Sequence, residues 1–103
     1  MNRVKFARDK VYDFLMSFED ETVARITGSL ELLDKIGSFL RPPKSKMISK
    51  NLYELRVLGK PSLRIFYTFY KESIFVLHAY VKKTQKIPRK ELNKALSTLK
   101  YLQ

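Results

Sequence analysis

The stretch Leu63–Lys82, LRIFYTFYKESIFVLHAYVK, decides the fold. It consists largely of β-branched and aromatic residues, broken only at Lys71-Glu72-Ser73. That composition suits a pleated, half-buried surface, and the short polar break reads as a hairpin turn. Two strands, over 63–70 and 74–82, are therefore expected to run antiparallel. Upstream, LYELRVL at 52–58 has the same period of two and is joined through Gly59-Lys60-Pro61-Ser62. Together the three segments predict a three-stranded antiparallel meander, or a slightly larger sheet.

Outside the meander the period lengthens to that of a helix. Ala7, Val11, Phe14, Leu15 and Phe18 predict a helix over 7–18. Val23, Ile26, Leu30 and Leu33 predict a second, with Asp20 as N-cap and Gly37 at the left-handed C-terminal position. The two form a helical hairpin. Residues 38–51, SFLRPPKSKMISKN, contain Pro42-Pro43 and read as a basic connecting loop. At the other end Pro88 suits a first helical position. Leu92, Ala95, Leu96 and Leu99 are expected to hold this closing helix on the domain to about residue 101. The expected class is α+β: helical hairpin, antiparallel sheet, C-terminal helix, in one domain spanning 1–103.

Composition narrows the function. At 103 residues the chain can bury one modest core, and 45% hydrophobic content sets it apart from disordered basic tails. It has no cysteine, which excludes disulfides and thiolate metal sites and fits a reducing compartment. No signal-peptide pattern and no apolar run near the ~18 residues of a membrane span is present, so a cytoplasmic domain without membrane contact is expected. The net charge of +11 is unevenly placed. Residues 1–40 hold six cations and seven acids; residues 41–103 hold fifteen cations and three acids, Glu54, Glu72 and Glu91. Such asymmetry implies an anionic partner.

Parity along the strands locates that charge. One face of 74–82 is Phe75, Leu77, Ala79 and Val81; the other is Val76, His78, Tyr80 and Lys82. A three-residue turn at 71–73 sets Arg64 opposite Tyr80 and Phe66 opposite His78. The preceding turn sets Arg56 beside Arg64. A mixed face thus gathers Arg56, a partly exposed Arg64, His78, Tyr80 and Lys82, with Lys83 at the strand exit. Lys44, Lys46, Lys50, Lys86, Arg89 and Lys90 add candidate contacts to RNA. One histidine and three scattered acids make no metal site, so neither a metal nor another cofactor is expected. RNA carries its own nucleophile in the 2′-hydroxyl. Its cleavage needs only a base, cations for the phosphate and an acid for the leaving 5′-oxygen.

The segments LYELRV, LRIFYTFY and IFVLHAYVKKTQKIPRKELNKAL resemble the core of the RelE/ParE superfamily of toxins, with the HigB-like branch nearest. The resemblance covers residues 52–99. It implies the toxin of a type II toxin–antitoxin module, most such toxins being ribosome-dependent mRNA endoribonucleases held inactive by a cognate helix-turn-helix antitoxin. It also implies that Arg64 is the family's sheet arginine, that Arg56 is the ELR arginine, and that Lys82 and Lys83 are the strand-end basic pair. The aromatic acid–base residue that some relatives carry in the last helix has no clear counterpart, Tyr101 lying late. The general base is left among His78, Tyr80 and a lysine. A ParE-like poison of DNA gyrase and a non-catalytic member that binds only RNA or antitoxin are the alternatives.

Overall fold

The computed structural model describes residues 1–102, and the predicted meander is its centre. In chain order the elements are β1 (Val4–Phe6), α1 (Asp9–Met16), α2 (Asp20–Ile36), a 3-10 turn (Gly37–Phe39), β2 (Ser45–Ser49), β3 (Leu52–Val57), β4 (Leu63–Tyr70), β5 (Ser73–Val81) and α3 (Arg89–Leu102). The fold is α+β, but the sheet is five-stranded and mixed, ordered β1-β5-β4-β3-β2. β2 to β5 form an antiparallel meander, and β1 runs parallel to β5 at one edge.

The two unexpected strands have local causes. β1 is only three residues long, too short for a period to show. It is anchored by Asp34 of α2, whose Oδ1 accepts the backbone N–H groups of Arg3 and Val4 at 2.7 Å each. β2 lies in the stretch expected to be a basic loop. It is an edge strand with Lys46 and Ser49 exposed, and a lysine on an edge discourages pairing with other chains. Asp20 is the first helical residue of α2 and not its cap, since Glu19 takes the cap position without a side-chain bond. Gly37 does adopt positive φ, 52°, where a Cβ would strike the Arg3 guanidinium.

Both faces of the sheet are covered. One core lies against α1 and α2 and includes Leu15, Ile26, Leu30, Leu33, Ile65 and Tyr67. A smaller one lies under α3 and joins Leu52, Phe66, Leu77 and Tyr80 to Ala95 and Leu99. Each fully buried leucine contributes roughly 1.5–3 kcal/mol, so even the smaller core holds α3 firmly. Leu96, expected among the anchors, is 38% exposed; Ala95 and Leu99 carry the docking, flanked by buried Thr98.

A bulge in β5 dresses the two faces differently from the parity reading. Phe66 pairs with His78 but Tyr67 pairs with Val76, which leaves Leu77 as the extra residue. Beyond it the alternation inverts. Ile74 and Val76 join the hairpin core, whereas Phe75 and Leu77, expected beside Ala79, pack under α3. The hairpin turn is also two residues, Lys71-Glu72, because Tyr70 pairs with Ser73. A turn shorter by one and a bulge longer by one cancel, so Arg64 still meets Tyr80.

Candidate functional site

Two rows of side chains cross the α3-facing side of the sheet. One is Arg56, Arg64 and Tyr80, successive partners across β3, β4 and β5. The next is Lys46, Glu54, Phe66 and His78. Lys82 continues β5, and the return of the chain toward α3 brings in Gln85 and Ile87. Together they enclose a cleft of about 170 Å³ lined by Lys46, Glu54, Arg56, Arg64, Tyr80 and Lys82. Ligand pockets for drug-sized molecules run to ~300 Å³ or more, so this one suits a group the size of a phosphate.

Glu54 organises the cleft. Its carboxylate is nearly fully buried and accepts the Arg56 Nε–H at 3.3 Å, with the Arg64 Nε 3.9 Å away on the other oxygen. Arg64 is 6% exposed, not the partly exposed residue expected, and also donates from Nη1 to the Leu63 carbonyl at 3.1 Å. Without the carboxylate, two guanidiniums would face each other across adjacent strands. Burial pushes the Arg64 pKa down, opposed by Glu54 and abetted by Arg56. Burial also pushes the Tyr80 phenol up, reinforced by the Glu54 charge and opposed by Arg64. Tyr80 thus keeps its proton well beyond neutral pH, and its ring is fixed by stacking on Phe66 at 5.8 Å. It is suited to give a proton, not to take one.

The residues read from the sequence divide. Arg56, Arg64, Tyr80 and Lys82 meet in the cleft, joined by Lys46. His78 turns away, its Nε2 2.7 Å from Glu91 Oε1 of α3, where it ties the helix to the sheet. Lys83 alternates to the other side of the chain and borders a separate groove with His78. Tyr101 is 86% exposed and sits beside Arg8, not the cleft. Lys44, Lys50, Lys86, Arg89 and Lys90 are all exposed and line none of the described pockets. Glu54 is the member that sequence reasoning missed. It stands two residues before Arg56 and so on the same strand face, but an acid in a basic half carries no signal of function.

The cleft can therefore grip an oxyanion with two guanidiniums, donate a proton from a phenol and offer one carboxylate as acceptor. Residues 13–100 match the model of the family described as Phage derived protein Gp49-like (DUF891), which belongs among the RelE/ParE-like toxins. No curated protein matches the chain.

Proposed function

Because the chain belongs to the phage-derived Gp49-like family of RelE/ParE-like toxins, we propose that it is the toxin of a type II toxin–antitoxin pair, cleaving mRNA on the ribosome. The ELR, R-I-F-Y and H-A-Y-V-K-K-T-Q-K-I-P segments put it nearest the HigB-like branch in this reading. The observation that carries it is the convergence of Arg56, Arg64, Tyr80 and Lys82 on a phosphate-sized cleft.

The chemistry follows from those groups. The mRNA 2′-hydroxyl attacks the adjacent phosphorus, and the 5′-oxygen leaves. Arg64, always charged and able to present two N–H groups, holds the phosphoryl oxygens as their charge grows, with Arg56 beside it. Tyr80 gives its proton to the departing oxygen. Glu54, the one anion lining the cleft, accepts the proton of the 2′-hydroxyl. Lys46 and Lys82, with the exposed Lys44, Lys50, Lys86, Arg89 and Lys90, track the RNA backbone. The partners in this reading are ribosome-bound mRNA and a helix-turn-helix antitoxin, both cytoplasmic. Among the described residues, no helix is long and apolar enough to cross a membrane.

The test is a cell-free translation reaction sampled for mRNA integrity. Cut mRNA with a 2′,3′-cyclic phosphate end supports the proposal. Intact mRNA with altered plasmid supercoiling would indicate a gyrase poison instead.

A further inference from the structure

A second groove lies on the far side of β5 and has no part in the chemistry above. β1 covers only the first part of the outer β5 edge, pairing Val4–Phe6 with Ile74–Val76. The last bond of that ladder is Ala7 N–H to Val76 O, 2.9 Å, after which the chain turns away into α1. On the inner side Lys82 N–H donates to Ser62 O at 2.9 Å. Residues facing β4 therefore alternate as 82, 80 and 78, and Ala79 and Val81 turn their backbone N–H and C=O outward. No described strand pairs with them.

That free edge is the floor of a groove of about 650 Å³ between α1 and α3. The wall from α1 supplies Val11 and Phe14, an apolar surface. Lys10, Lys83 and Lys94 border it, and none is in an ion pair among the described residues. The only acid in the lining, Glu91, is occupied by His78. Next to it, Arg8 at the start of α1 is tied to α3 by its Nε–H donating to Thr98 Oγ1 at 3.0 Å.

We infer that this groove binds an extended acidic peptide, which adds a strand to the open β5 edge at Ala79 and Val81. Main-chain bonds to an unpaired edge supply affinity, and alternate side chains supply specificity. Alternation sends every second peptide residue toward Val11 and Phe14 and the others toward Lys94, so the preferred pattern is apolar–acidic–apolar–acidic. The site is distinct from the arginine cleft and does not depend on whether that cleft cuts RNA.

The probe is a fluorescein-labelled heptapeptide of alternating valine and glutamate, with anisotropy measured on the full chain. Expected is saturable binding that weakens at least about tenfold when the peptide amides facing β5 are N-methylated, since a hydrogen bond or more is lost. Lys94→Glu should weaken it similarly. Amide hydrogen exchange on the unaltered protein should slow at Ala79 and Val81 when peptide is added. Equal binding by the N-methylated peptide would reduce the groove to a charged surface and overturn the inference. So would unchanged Ala79 and Val81 exchange, or displacement of the peptide by oligouridylate.

Discussion

Neutralising Glu54 should move stability and anion binding in opposite directions. Glu54→Gln keeps the shape and one acceptor oxygen but removes the charge between Arg56 and Arg64. At an effective dielectric near 20, unit charges at the Arg64–Glu54 separation of 3.9 Å attract by about 4 kcal/mol before other terms. Removing one partner of a buried pair costs about 3–5 kcal/mol, because the remaining charge stays desolvated. The Arg56 contribution is small, since its side chain is 31% exposed and screened. Allowing for the acceptor that glutamine keeps, the net loss is about 3 kcal/mol, or about 10–20 °C in Tm for a domain this size. The vacated charge is one that a bound anion can replace. Pyrophosphate at constant ionic strength should therefore raise the Tm of the variant several degrees more than that of the parent. RNA cleavage should fall as well, for want of a proton acceptor. Scanning calorimetry with and without pyrophosphate reads the first two effects. An unchanged Tm, or equal stabilisation of both proteins by the anion, would refute the view that the Glu54 charge balances the two guanidiniums.

Other consequences concern the scaffold. Leu99→Ala should cost about 2–4 kcal/mol in denaturant unfolding, whereas Leu96→Asp on the exposed side of α3 should stay within about 0.5 kcal/mol. Tyr67 and Tyr80 both have phenol pKa values raised by burial, so the folded state holds their protons longer than the unfolded chain does. Their stabilising effect is full below the ordinary phenol value of about 10 and is lost as pH rises through the folded values, which urea midpoints across pH 9 to 11.5 will show. Asp34 is held below the usual carboxylate range mainly by the Val4 N–H, so Asp34→Ala should speed amide exchange in β1 and leave the β3–β4 ladder protected.

The central hairpin was legible because its side chains alternate over enough residues for the period to show. A three-residue turn predicts the Arg64–Tyr80 pair and the two-residue turn keeps it, since the bulge at Leu77 restores the count. The bulge itself left no mark in a run where every neighbour is apolar. β1 and β2 are hidden for a related reason: one is three residues held by a carboxylate distant in sequence, the other a five-residue edge strand with no alternation of apolar and polar residues. At the site, parity grouped Arg56, Arg64, Tyr80 and Lys82. It could not foresee that α3 would cover half the same face and take His78 for its own anchor through Glu91. Glu54 gives no sign of itself in the sequence, because its role exists only once two arginines close on it.

The claim that this cleft cuts mRNA is tested most directly by single-turnover cleavage of ribosome-bound message with the parent and with Arg64→Lys. The substitution keeps the charge opposite Glu54 but removes the planar fork that grips two phosphate oxygens. The parent should cut, and the variant should bind ribosomes with similar affinity but cut about a hundredfold more slowly, the scale expected for one preorganised donor. Cleavage by Arg64→Lys at the parental rate, or no cleavage by the parent, would contradict it.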